Sequence, residues 1–233
     1  MQSQNLTQKR NGPSRRRYED ACGTAHALDL VGERWALLVM RELMLGPKRF
    51  SDLRSDLPGI SANVLTQRLE GLEAAGVLVR RPLAPPASGQ VYELTEWGYQ
   101  AKPLMGALGR WATRSPGHDP SLYLSPVSLM LSFQAMGQPA LLAGLNATIA
   151  FHLGRESYTL RIADGAIAAE RGVPESADLT FIGDARAIAA AVYGGVPLDA
   201  LEKEGALTLE GDRTLAERFV TFFPLPPKAR VPG

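Results

Sequence analysis

Residues 46–94 restrict the fold of this chain more than any other stretch. A Gly46-Pro47 break is followed by an amphipathic segment at 50–57, a Pro58-Gly59 turn and a second amphipathic segment at 61–75. Two short alternating segments follow, 77–81 and 90–94, separated by the loop PLAPPASG. Phe50, Leu53 and Leu57 share one helical face, and Leu65, Leu69 and Leu72 recur at the i, i+4, i+7 spacing of another. Ser61 is a good N-cap for the second helix, because its oxygen can accept an otherwise orphaned backbone N–H. Two helices joined by a short Gly-containing turn form a helix-turn-helix. Two strands around a Pro- and Gly-rich loop, directly after the second helix, form a wing.

The flanks extend the pattern. Residues 22–31 carry Ala25, Leu28 and Val31 at helical spacing, and 33–45 carry Trp35, Leu38, Val39 and Leu43, with Gly46-Pro47 as the stop. Thr95 is placed to cap a helix running to about residue 114, which Pro103 should kink or break. SPGHDPSLYLSP, residues 115–126, has the composition of a linker. Beyond it, 127–136 is an apolar helix, and 147–153, 157–163, 166–171 and 179–182 alternate like strands. Helices at 185–193, 198–204 and 212–222 surround a short strand at 207–210, and the Pro-rich end is expected to be loose. The fold class is α+β. It comprises a disordered arm (1–17), a winged helix-turn-helix domain (18–114), a linker (115–126), an α/β domain (127–225) and a tail (226–233).

Charge separates the two halves. Residues 1–115 hold 16 basic against 11 acidic side chains, and residues 116–233 hold 9 against 13. A basic half beside an acidic one fits a polyanionic partner for the first half alone, although small domains also differ this much by chance. If the leucines of segment 61–75 point inward, Asn63, Gln67 and Glu70 point outward, with Thr66 and Arg68 flanking them. Asn and Gln present an acceptor and a donor together, which suits adenine edges in a major groove. Lys48, Arg49, Arg54, Arg80 and Arg81 lie where such modules approach phosphates. The DNA-contacting set is therefore Lys48, Arg49, Arg54, Ser61, Asn63, Thr66, Gln67, Arg68, Arg80 and Arg81.

Other chemistries find little support. His26, His118 and His152 are scattered without metal-ligand spacing, and the single cysteine, Cys22, excludes an internal disulfide. No nucleophile elbow, phosphate loop or dinucleotide fingerprint occurs, so no catalytic residue, metal or cofactor is expected. No apolar run approaches a membrane span, and MQSQNLTQKR is not a secretory leader, so a cytoplasmic location is expected.

Cys22, ALDLVGERWALLVMREL, GPKRFSDLRSDLPGISANVLTQRLEGLEAAGVLVRR and VYELTEWG together resemble the HxlR branch of the MarR-like winged-helix transcriptional regulators. The resemblance implies a homodimer on a pseudo-palindromic double-stranded operator; a repressor is expected, although nothing in the residues separates it from an activator. It implies a dimer contact through Leu28, Leu104, Leu108 and Trp111. The family commonly has Gly-Lys-Trp where this chain has Glu33-Arg34-Trp35. Some members sense oxidants through a cysteine at the position of Cys22. A thiol at a helix start gains from the helix dipole, and Arg15–Arg17 could add to that. The alternative role for Cys22 is a small buried residue near the dimer contact.

From Ala177 onward, the acidic-apolar strand, the Gly-rich turn and GALTLEGD (residues 205–212) resemble the sterol-carrier-protein domain. That resemblance implies an apolar tunnel for lipids or acyl chains, with Leu131, Phe133, Met136, Leu141, Ile188, Val192 and Phe219 as candidate lining; each could equally be plain core. Two functional readings follow. One is a DNA-binding regulator modulated by an apolar ligand or by Cys22 oxidation. The other is a lipid or small-molecule binder whose winged helix serves dimerisation.

Overall fold

The computed structural model describes residues 18–83 and 88–230. The expected N-terminal arm, including Arg15–Arg17, and the loop tip at 84–87 lie outside them.

The first domain opens with α1 (Gly23–Val31) and α2 (Ala36–Leu43). The second helix starts later than the apolar stripe suggests, because Trp35 has a left-handed φ of 78° and ends a turn in which Ala36 N–H donates to the Glu33 carbonyl. A left-handed tryptophan is costly, so its surroundings must hold it. Then come α3 (Phe50–Asp56), α4 (Ala62–Ala74), β1 (Leu78–Pro82) and β2 (Gln90–Leu94). The two strands pair antiparallel, Leu78 opposite Leu94. Gly46, at φ 115°, turns the chain after α2 and delivers Lys48 to a backbone bridge with Tyr92, which ties the wing to the helices. Leu53, Leu57, Leu65, Leu69 and Leu72 are buried, so the helical faces read from spacing are the packed ones.

The single helix expected from Thr95 is two: α5 (Glu96–Tyr99) and α6 (Lys102–Ala112). Thr95 caps the first through its hydroxyl, which accepts the Gly98 N–H. Pro103 lies at the start of the second, where a missing N–H costs nothing.

The second domain contains α7 (Pro126–Met136), α8 (Pro139–Leu142), β3 (Ala147–Leu153), β4 (Glu156–Ala163), β5 (Ala166–Arg171), β6 (Leu179–Gly183), α9 (Ala185–Gly194), α10 (Leu198–Lys203), β7 (Leu207–Gly211) and α11 (Arg213–Phe219). Its five strands run in the order β5-β4-β3-β6-β7, with β3 and β6 parallel and the other pairs antiparallel. Alternation along the strands turns Ile149, Phe151, Leu160, Ile162 and Phe181 into one core, covered by α7, α9 and α11. α8 had no signature beyond Pro139.

The two domains are docked. Leu45, just after α2, inserts into the core of the second domain, and Leu131 of α7 packs against both cores. Between them lies a buried ionic cluster. The Lys48 ammonium meets Glu42 at 3.5 Å, Glu156 of β4 at 3.3 Å, and Asp56 of α3. Glu42 also accepts from Arg41 and, at 2.7 Å, from the Ser125 hydroxyl that caps α7. Arg171 of β5 pairs with Glu156 at 2.6 Å. Burial would raise the Glu156 pKa, but Lys48, the Tyr158 hydroxyl and Arg171 outweigh it and hold the carboxyl below its ordinary value.

The tail is not loose over its described part. Lys228 donates to the carbonyls of Thr113, Ser115 and His118, and Ala229 N–H to that of Arg114 at 2.7 Å. A cation on the last carbonyls of α6 also complements the helix dipole. Composition suggested freedom, but these acceptors at the end of a helix need donors.

Removing one partner of a buried ion cluster strands the others, at about 3–5 kcal/mol. Lys48→Met is expected to lose stability of that size in urea denaturation. The Glu156 contribution is complete above its unfolded value near 4.5 and is lost as pH falls through its lower folded value. The stability gap between the parent chain and Glu156→Gln should therefore narrow below pH 4.5 in melts run from pH 6 to 3.

Candidate nucleic-acid interface

The exposed face of α4 is built by its cap and its leucines. The Ser61 hydroxyl accepts the Val64 N–H at 3.3 Å and sets the start of the helix. Leu65, Leu69 and Leu72 are held in the core, which leaves Asn63, Thr66, Gln67 and Glu70 exposed along one stripe, with Ser61 exposed at its head. Amide and hydroxyl groups at the N-terminal end of an exposed helix can read base edges.

The basic residues divide. Arg49 and Arg54 are exposed on α3 and its cap, and Arg49 reaches towards Gly89 at the base of the wing. Arg81 is exposed on β1 and makes one surface pair with Glu93 at 3.0 Å. Arg80 pairs with Glu73 at 3.2 Å and lies over the Tyr92 ring. Such surface pairs are weak and exchange readily for a phosphate.

Two expected contacts do not reach this face. Lys48 is 1% exposed and is committed to the interdomain ionic cluster, so it is removed from the phosphate-contacting set. Its sequence position suggested exposure because the carboxylates that claim it are spread from residue 42 to residue 156. Arg68 turns away from the stripe and pairs with Glu33 at 3.4 Å, its Nε buried.

Cys22 is exposed and sits at the N-cap of α1, not buried as filler within the chain. It forms no full capping hydrogen bond, but the N–H groups of Ala25 and Thr24 and the Thr24 hydroxyl aim at the sulfur and lower its pKa. The apolar residues expected at a dimer contact are unpartnered: Leu28 and Leu108 are exposed, Leu104 is 70% exposed and Trp111 72%.

The ligand-lining set separates into four places. Phe133, Ile188 and Phe219 are fully buried, and Phe133 stacks within a cluster containing Phe151, Phe219 and Phe223 at ring distances of 4.6–5.8 Å. These residues belong to the packed core of the second domain. Leu141 is exposed on α8, and Val192 borders a surface groove of about 390 Å³ beside Arg213. Leu131 and Met136 border a different space, a cleft between the two domains. Sequence spacing marks apolar faces, but it cannot tell a filled interior from a hollow one.

The relatives of this chain agree with its architecture. Residues 30–119 match the HxlR-like helix-turn-helix family. The HTH-type transcriptional regulator YvaP of Bacillus subtilis (strain 168) is 38% identical over 88 residues, which are 37% of this chain and 81% of that protein. This chain belongs to the HxlR-like helix-turn-helix family. Residues 130–224 match the SCP-2 sterol transfer family, so an SCP2 domain follows the HxlR-like one. The HTH-type transcriptional regulator YodB of B. subtilis is 35% identical over 86 residues, 37% of this chain and 77% of that protein. The solved reduced form of YodB is 31% identical, with a TM-score of 0.39, covering 43% of this chain and all of that one. These relatives bear on the HxlR-like half alone.

A lowered thiol pKa has a direct readout. Cys22 is expected to be alkylated by iodoacetamide with a pH midpoint below that of a free cysteine peptide, and Thr24→Val should move the midpoint upward.

Proposed function

We propose that the protein is a non-enzymatic DNA-binding transcriptional regulator that acts as a cytoplasmic homodimer, most simply as a repressor. The observation that carries this reading is the exposed stripe Asn63, Thr66, Gln67 and Glu70 on α4, flanked by Arg49 and Arg54 in a domain of regulator ancestry. Asn63 and Gln67 read base edges, Ser61 and Thr66 support them, and Arg49, Arg54, Arg80 and Arg81 hold the backbone. Arg68 positions the helix through Glu33.

The exposed apolar residues Leu28, Leu104, Leu108 and Trp111 supply a surface for a second copy. Exposed apolar groups of this size, three of them on one helix, mark a surface suited to association. Two copies place two α4 helices on a pseudo-palindromic site. Cys22 lies beside this surface in sequence and is open to oxidants. Structures of quinone-bound YodB and of oxidised HypR, a redox regulator, are among the relatives, and we extend such sensing to Cys22 as part of the proposal.

Four arginines per copy, each on one phosphate, give a slope of log affinity against log salt of about −7 for a dimer. Titration of duplex DNA from the region upstream of its own coding sequence, at several salt concentrations, should show a steep slope and two chains per duplex. Arg54→Ala should reduce the slope by about 2, and Gln67→Ala should cost about 1–3 kcal/mol per half-site. Salt-insensitive or absent binding would favour a small-molecule binder that uses its winged helix only to dimerise.

A further inference from the structure

A cleft of about 670 Å³ opens where α6 of the HxlR-like domain faces α7 of the SCP2 domain. Two glycines make the space. A Cβ at Gly109 would meet nothing within 4 Å, and one at Gly106 would meet only the Ala135 Cβ, at 3.8 Å. Each glycine costs an α-helix about 1 kcal/mol relative to alanine, and neither position has a left-handed φ that would require glycine. What they provide is room. The volume is in the range of small-molecule sites.

The lining has a definite chemistry. Met105, Leu131, Leu124 and Met136 give it apolar walls. Arg41, Lys102 and Arg110 contribute positive charge, and among the described residues no carboxylate lines it. Arg41 is committed to Glu42. Lys102 is half-buried, and the loss of water lowers its pKa with no opposing charge to restore it. Two further lining residues hold buried polar atoms with no hydrogen-bond partner, His118 Nδ1 and Gln134 Oε1. Unmet polar capacity of this kind is costly and marks a place where a ligand or its waters can bond.

We propose that this interdomain cleft binds a small amphipathic organic anion, its apolar body along Met105, Leu131 and Met136 and its carboxylate at Lys102. The site is distinct from Phe133, Ile188 and Phe219, which lie in the packed core of the SCP2 domain. Its position adds a consequence that rests on the regulator reading. α6 carries Leu104, Leu108 and Trp111 exposed, as well as the glycines of the cleft. A ligand wedged beside α6 bears on the helix that joins two copies, and so on the spacing of the two α4 helices. Lys228, bonded to the end of α6, braces the wall against which it would push.

The test is a calorimetric titration of the full chain with dodecanoate, dodecan-1-ol and dodecyltrimethylammonium, without DNA. Dodecanoate is expected to bind saturably, once per chain, and at least about tenfold more tightly than the alcohol or the cation. Gly109→Leu, which fills the cleft and favours the helix, should abolish binding of both acid and alcohol. Lys102→Met should remove the preference for the acid while leaving the alcohol unchanged. No saturable binding of dodecanoate, equal affinity for acid and alcohol, or unaltered binding by Gly109→Leu would each overturn the proposal. Should Gly109→Leu fail to fold by circular dichroism, the Lys102→Met comparison decides. A chain that binds dodecanoate but no operator overturns the regulator reading and leaves this site standing.

Discussion

The arrangement of the molecule depends on one buried ammonium group. Lys48 lies where α2, α3, the wing and the SCP2 sheet converge, and its charge is shared among Glu42, Asp56 and Glu156. Its backbone bridges Tyr92 of the wing while its side chain holds β4. A buried charge tolerates few arrangements, because any displacement leaves a desolvated ion without its counter-ion. The cluster therefore orients one domain on the other where apolar contacts alone, through Leu45 and Leu131, would permit sliding.

That orientation gives α6 its double character. In a winged-helix domain alone, one side of α6 would be solvated beside the wing. Here the SCP2 domain brings α7 against it, Gly106 facing Ala135, and the described tail donates to carbonyls at its end. The polar stripe of α4 and the cleft beside α6 lie on elements that both pack against α2, which carries Glu42 of the ionic cluster. Coupling between a ligand and DNA needs two arrangements of these elements with different affinities, and in the proposed reading α6, which borders the cleft and carries exposed apolar residues, is where they would differ.

The elements were largely legible from spacing. β3 and β5 fall at their expected bounds, and the capping roles of Ser61 and Thr95 are those observed. Local rules suffice there because a cap or an apolar stripe involves residues within one or two turns. The exposed stripe of α4 was legible for the same reason: three leucines on one side dictate what lies on the other. The misreadings share a different cause. Lys48 looks like a phosphate ligand until Glu42, Asp56 and Glu156 claim it, and Arg68 is half-buried beside Glu33. Phe133, Ile188 and Phe219 each belong to an apolar helical face in sequence and lie in the packed core of the second domain, a placement that spacing alone does not fix.

The amino-acid sequence by itself determined the α+β class, two domains of opposite charge, the winged helix-turn-helix and the polar face of its second helix. All of these follow from period, capping and composition, which act over a few residues. Only the tertiary structure decided which arginines lie exposed, that Cys22 is exposed, how the described part of the tail is anchored and that a cleft opens between the domains. Those outcomes depend on groups far apart in the chain competing for the same partner or the same volume, and no local pattern records who wins.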